Sequence, residues 1–286
     1  CVENNVFPSL NQMSPSPTLP ESPPPLTVGL FDSGLGGLSV LKAMQTHLPQ
    51  ARLLYVADSG FAPYGERDEP FIVGRSLHIS QFLLSQGAQA LVVACNTATA
   101  AAVKELRAAF PQVPIVGVEP GVKPAVAQSR NQRVGVMATP GTLRSEKFRH
   151  LVSSHAQGAE LVLQACPGLA REIERGELDT PALRALVNEF CEPLRTAQID
   201  TVVLGCTHYP FVRPLIAQAL GPDVLILDTA DAVARHAARQ LKLAPSTTQG
   251  ALQLWSSGDA AHLADVTERW LGIRAPSAAL PPAQTP

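Results

Sequence analysis

Two cysteines sit where chemistry is expected. Cys95 in LVVACNTAT and Cys206 in TVVLGCTHYP each close a β-branched apolar run and precede a segment of helical period. A thiol placed there meets the backbone N–H groups and the positive dipole end of the next helix, which favour the thiolate, the form that works as base or nucleophile. Each cysteine is followed by polar residues that packing does not need: Asn96 and Thr97 after the first, Thr207 and His208 after the second. Two opposed thiols, one ionised and one not, can take a proton from one face of a carbon and return another to the opposite face. Asn96, Thr97 and Thr207 are donors suited to a substrate carboxylate, and His208 can exchange protons with Cys206 or, as imidazolium, lower its pKa. Cys166 opens a loop and Cys191 lies inside a helical pattern; both read as small buried apolar residues.

The segment FDSGLGG at 31–37 ends a strand on Asp32 and Ser33 and then offers three glycines, whose backbone can approach a ligand closely. Its spacing does not fit the dinucleotide fingerprint, although Asp58 stands near the place of the acid in that motif. A zinc site from Cys95, Cys206 and His208 needs ligands gathered from two domains without any CxxC pair, so no metal is expected. A one-cysteine hydrolase or transferase with His208 as base leaves the other cysteine motif unexplained. A two-lobed amino-acid binding protein is the non-catalytic alternative.

The elements that must position these residues alternate in a regular way. Candidate strands fall at 28–31, 53–57, 90–94, 115–118, 134–137, 159–164, 201–204 and 224–227. Candidate helices fall at 38–48, 70–86, 97–110, 142–154, 181–197, 211–220, 229–242 and 259–271. Short buried strands alternating with amphipathic helices predict an α/β fold with doubly wound, parallel-rich sheets. VGLFDSGLGG at Val28 is echoed by VGVMATPGT at Val134, and the Cys95 motif by the Cys206 motif, at offsets of 106 and 111 residues. Similar offsets for two strand-turn-helix units point to an internal duplication, with two similar domains presenting one thiol each to a pseudo-twofold cleft. The expected division is 27–120 with 226–275 as the first domain and 121–225 as the second, with a flexible tail at 276–286. Residues 1–26, dense in Pro and Ser, read as a disordered or extended leader. With Cys1 in first place, processing and an internal start at Met13 are both open.

Composition narrows the function. The 286 residues carry a formal net charge of −2 and no Lys/Arg run, which argues against nucleic-acid or membrane-surface partners and for small-molecule chemistry. Five cysteines without CxxC pairing indicate a reducing, cytoplasmic setting. No apolar stretch is long enough to span a bilayer, and the N-terminus lacks a basic region followed by an apolar one.

FDSGLGG, APYG at 62–65, ACNTAT at 94–99, VEPGVKPA at 118–125, ATPGT at 138–142 and GCTHYP at 205–210 stand in one order. From about Val28 to about Ala238 the chain thereby resembles the glutamate racemases. The resemblance implies a two-domain α/β enzyme that interconverts L- and D-glutamate between its domains, without pyridoxal phosphate or metal, to supply peptidoglycan synthesis. By motif match, Cys95 takes the α-proton of D-glutamate and Cys206 that of L-glutamate. Asp32 assists Cys95, His208 assists Cys206, and Glu174 in EIERG supports the second thiol. Asp32, Ser33, Tyr64, Gly65, Asn96, Thr97, Thr207 and His208 match the positions that hold the substrate's amino and carboxylate groups. The resemblance also leaves room for a homodimer and for regulation by a cell-wall precursor. The nearest alternative is a two-cysteine racemase acting on aspartate. ADSGF at 57–61 and Phe148 depart from the family pattern.

Overall fold

The computed structural model describes residues 26–156, 158–241 and 250–282. The expected leader lies outside these residues apart from Leu26, as do 283–286 at the C-terminus.

Two parallel sheets form the frame. The larger contains β1 (Thr27–Asp32), β2 (Arg52–Ala57), β3 (Ala90–Val93), β4 (Ile115–Gly117), β9 (Leu252–Ser256) and β10 (Ser277–Ala279), in the order β10-β9-β2-β1-β3-β4. The smaller contains β5 (Arg133–Ala138), β6 (Glu160–Ala165), β7 (Thr201–Leu204) and β8 (Leu225–Leu227), in the order β6-β5-β7-β8. The series 2-1-3-4 and 6-5-7-8 are the same topology, so β1 corresponds to β5 and β3 to β7. Pairing registers agree: Val28 faces Ala90 across β1 and β3, and Val134 faces Thr201 across β5 and β7. The duplication read from the offsets is thus present in the strand order.

The helices follow from the same patterning. In the first half, α1 spans Leu38–His47, α2 Glu69–Ser85 and α3 Asn96–Ala109; then come α4 (Val122–Gln128), α5 (Pro140–Arg144), α6 (Glu146–His155), α7 (Leu169–Ile173) and α8 (Pro181–Thr196). The last three are α9 (Arg213–Leu220), α10 (Ala230–Leu241) and α11 (Ala260–Leu271). Asp68, Ser145, Thr180 and Asp259 cap α2, α6, α8 and α11 with side-chain acceptors, which is why those helices begin where they do. Strands β1, β3 and β7 are buried along their whole length, as parallel strands covered on both faces require. Leu30, Leu38, Leu41, Tyr55 and Val92 belong to the core under the larger sheet; Met137, Leu183, Val202 and Ile216 belong to that of the smaller.

Four differences from the sequence reading have local causes. The tail expected at 276–286 is not simply flexible, because Ser277–Ala279 pairs with β9 and Leu280 is buried. The boundary expected at 225/226 falls inside β8, which closes the smaller sheet on β7. The single helix expected at 142–154 is two, because Ser145 is extended, ends α5 and caps α6. The helix expected from 211 starts at Arg213, after a 3₁₀ turn over Tyr209–Val212.

Candidate active site

Both thiols stand two residues beyond the ends of equivalent central strands, Cys95 after Val93 and Cys206 after Leu204. Both are buried, Cys95 at 5% exposure and Cys206 at 7%. The two sheets bring them to one interior space, where charge on Cys206 is one of the influences that push Cys95 up.

Cys95 caps α3, its Sγ accepting the Ala98 N–H at 3.4 Å. Ser33 Oγ lies 3.7 Å from the same sulfur. Asp32, with no exposed surface, stands at the end of β1. Burial is the main reason its carboxyl is pushed up to about 6, with Glu174 adding to the rise while His208 and the Gly37 N–H oppose it. Burial likewise pushes the Cys95 thiol well above its ordinary value, and the Asp32 charge pushes the same way. The N–H groups at the start of α3 were expected to favour the thiolate; Ala98 does so, but desolvation outweighs it.

Cys206 has a different neighbourhood. It caps no helix, since α9 begins only at Arg213. Its Sγ lies 3.5 Å from His208 Nδ1, and His208 Nε2 is hydrogen-bonded to Glu174 Oε1. Burial works against charge on the imidazole, but Cys206 and Glu174 outweigh it and hold His208 well above its usual range. Glu174 also accepts the Leu35 N–H at 2.5 Å, which ties it to the glycine loop across the gap between the sheets.

The glycines of FDSGLGG serve this arrangement rather than a phosphate. A Cβ on Gly34 would stand 2.1 Å from the Glu174 carboxylate, and one on Gly36 would stand 2.3 Å from the His208 ring. The loop's N–H groups point at protein acceptors: Gly37 to Asp32 Oδ2 at 2.8 Å and Leu35 to Glu174 Oε1 at 2.5 Å, while Gly36 N packs 3.2 Å from His208 Nε2, whose proton goes to Glu174. Thr207 reaches back to Asp32 Oδ1 at 3.5 Å. Among the described residues no three His, Cys, Asp or Glu side chains are grouped to hold a metal ion.

The remaining expected site residues are brought to the same space in different conditions. Asn96 is buried and its Nδ2 has no hydrogen-bond partner, a donor left for something else. Thr97 shares hydroxyl contacts with Thr139 at 3.0 Å and Thr142 at 3.2 Å, crossing from α3 to the start of α5. Tyr64 is buried, but its hydroxyl is taken by Asp58 at 2.5 Å, and Asp58 in turn holds Arg75 through contacts of 2.6 and 2.9 Å. Gly65 abuts Thr139 so closely that a Cβ there would stand 2.6 Å from it. Asp58, weighed above as a nucleotide ligand, is therefore a buried buttress for the Tyr64 loop. Thr139, Thr142 and Arg75 were not singled out as site residues; the first two lie in the ATPGT segment, whereas Arg75 sits in an ordinary helical pattern that gives no signal.

A cavity of about 10 Å³ is lined by Asn96, Val118, Cys206 and Thr207, room for no more than one water. A wider cleft of about 740 Å³ lies outside, between α2, α3, α5 and α6, and meets the site at Thr97.

Comparison with known proteins identifies the family and the fold. The family model for Asp/Glu/Hydantoin racemase matches residues 38–237. A glutamate racemase of Methylococcus capsulatus is 53% identical over 237 residues, covering 82% of this chain and 87% of that one. Among solved structures, the glutamate racemase isoform RacE1 of Bacillus anthracis superposes with a TM-score of 0.82 at 31% identity, covering 90% of this chain and 97% of that one. The Escherichia coli glutamate racemase, solved with L-glutamate and the activator UDP-MurNAc-Ala, gives 0.77 at 31% identity, covering 90% and 98%.

Proposed function

This chain belongs to the Asp/Glu/Hydantoin racemase family, and from that premise we propose how it works. It interconverts L- and D-glutamate as an isomerase, the activity its relatives are named for, and so supplies D-glutamate for peptidoglycan. The observation that carries this reading is the pair of buried thiols at equivalent strand ends of two like sheets, each with its own acid-base partner.

In the L to D direction the Cys206 thiolate takes the α-proton of L-glutamate. The electron pair left at Cα is delocalised into the α-carboxylate, which the donors Asn96, Thr97 and Thr207 hold. The Cys95 thiol then gives its proton to the opposite face, leaving Cys95 as thiolate and Cys206 as thiol. D-glutamate runs the sequence backwards. Asp32 beside Cys95 and His208 beside Cys206 carry the protons that reset the pair, with Glu174 holding His208. Burial pushes the Cys95 thiol up, which suits it to the role of proton donor in the L to D direction. Ser33, Tyr64, Gly65 and the Thr207–His208 segment complete the substrate pocket. With both thiols buried, the two sheets part to admit substrate and close again to exclude water. The domains we assign to that motion are centred on the six-stranded and the four-stranded sheets.

Regulation by a cell-wall precursor belongs to this reading by analogy with the activator bound to the Escherichia coli relative, and a homodimer by the family resemblance. A cytoplasmic location fits both the free buried cysteines and the lack, among the described residues, of any helix long and apolar enough to cross a membrane.

The test is incubation with L-glutamate in D₂O without added cofactor, following optical rotation and α-deuterium. Racemisation with deuterium uptake is expected, and the racemisation is lost in Cys95→Ser and in Cys206→Ser. Folded protein that exchanges no glutamate α-hydrogen would overturn the assignment; exchange with aspartate instead would move it to a sister racemase.

A further inference from the structure

Glu174 acts from an exposed-side turn, so something must fix it. It follows the five-residue helix α7 and is followed by Arg175 and Gly176, a stretch with no strand or long helix of its own. The carbonyls of this turn are held from the other side of the molecule by α11. His262 Nε2–H donates to Glu174 O at 3.2 Å. Arg269 Nη1–H donates to Gly176 O at 3.1 Å, and Trp270 Nε1–H to the same oxygen at 3.2 Å. Gly176 lies at φ +88°, and a Cβ there would stand 2.8 Å from the Arg269 guanidinium, so turn and helix fit without slack.

Trp270 does more than hold this turn. Its ring packs on Phe211 with centroids 4.3 Å apart, and the Phe211 N–H donates to His208 O at 3.2 Å. One indole therefore touches the segment of Glu174 through its N–H and the segment of His208 through its face. Asp32 is held locally instead, by the Gly37 N–H at 2.8 Å and by its place at the end of the buried strand β1.

We infer that Trp270, flanked by Arg269 and His262, is a positioning residue that sets the Glu174–His208 pair and thereby the Cys206 half of the proton transfer, leaving the Cys95 half alone. This rests on the two-thiol reading above. Misplacing a catalytic group by about an ångström can cost as much as ~10²-fold in rate.

The experiment compares wild type, Trp270→Ala and Trp270→Phe with α-protonated and α-deuterated L- and D-glutamate. Substrate and product are mirror images of equal free energy, so kcat/KM must fall by one factor in both directions, and its size cannot say which thiol was hit. The isotope effect can. Label on L-glutamate slows only the step at Cys206, and label on D-glutamate only the step at Cys95. Trp270→Ala is expected to lower kcat/KM by roughly ten-fold or more, to raise its isotope effect from L-glutamate and to pull that from D-glutamate towards unity. Trp270→Phe, which keeps the ring on Phe211 but loses the donor, shifts both the same way by less, and decides the matter if the alanine variant does not fold. Glu174→Gln added to Trp270→Ala should cost little more, since both act through one contact. Isotope effects that stay put or move together in the two directions, or unchanged kinetics, would overturn the inference. A wild type that does not racemise glutamate at all removes the function itself, and this inference with it.

Discussion

Cys95 and Cys206 hold the same place in two copies of one topology, yet their surroundings share almost nothing. Cys95 is a helix cap under a buried carboxyl, and burial keeps its proton on. Cys206 caps nothing and faces an imidazole whose pKa the sulfur itself and a glutamate from a distant turn push up against burial. The support differs as well. The Cys95 side is braced from within its own half by Asp58, Arg75 and Tyr64, whereas the Cys206 side is braced across the molecule from α11. Duplication of a fold thus provides two equivalent positions, and divergent neighbours give the two thiols different surroundings. A racemase needs that asymmetry, because two thiols in the same protonation state cannot complete a turnover.

The largest effect expected from breaking the pair is loss of racemisation in Cys95→Ala and Cys206→Ala alike. Their residual chemistry should nonetheless be opposite. Cys95→Ala still has the base for L-glutamate and should wash α-deuterium out of that enantiomer alone, and Cys206→Ala out of D-glutamate alone, as read by proton NMR. Washout of both by either variant would end the one-thiol-per-face description.

Next come the partners. Asp32→Asn and His208→Asn should each lower kcat/KM by ~10²–10⁴-fold, the usual worth of a positioned proton-transfer group. Asp32→Asn should raise the α-deuterium isotope effect measured from D-glutamate and His208→Asn that measured from L-glutamate. The same shift in both variants would erase the division of labour between the two sides.

Arg75→Met sharpens the comparison of supports. It leaves Asp58, which has no exposed surface, without its guanidinium, at a cost of about 3 kcal/mol in unfolding free energy measured by denaturant titration. Trp270→Ala, whose contacts are at the half-buried edge of α11, should cost less stability while disturbing catalysis on the other side.

Of the same order as the Arg75 effect is a pH dependence of stability. Asp32 titrates at about 6 in the fold against 3.8 for a free carboxyl, so folding favours its protonated form. That contribution is fully present below pH ~4 and is lost as pH rises through about 6, a change of about 3 kcal/mol for a shift of this size. Asp32→Asn should therefore melt above the wild type at pH 8 and close to it at pH 4. The opposite order, with the wild type more stable at pH 8, would mean that the buried carboxylate is better compensated than its surroundings suggest.

Much of this was legible beforehand. Short apolar runs and amphipathic periods located the first eight strands, and the polar residues after Cys95 and Cys206 marked both as more than packing. The strands β9 and β10 escaped because LQLWS is short and Ser277–Ala279 carries no alternation; both exist through pairing with strands far away in the chain. Helices α4 and α7 are only seven and five residues long, too short for a period to show. Glu174 was suggested by resemblance alone, and nothing in EIERG says that its carboxylate meets Leu35 N–H and His208.

The sequence by itself determined the alternation of strands and helices, the duplication and the two thiols at strand ends, because these depend on hydrophobic period and on residue types within a few positions of each other. Only the tertiary structure decided that burial pushes Cys95 up, that Cys206 and Glu174 push His208 up, that Gly34 and Gly36 make room for Glu174 and His208, and that an indole on α11 touches the segments of both. The reason is physical. The charge on a buried group depends on desolvation and on partners within a few ångströms, and here those partners come from up to 175 positions away, as Asp32 and Thr207 do.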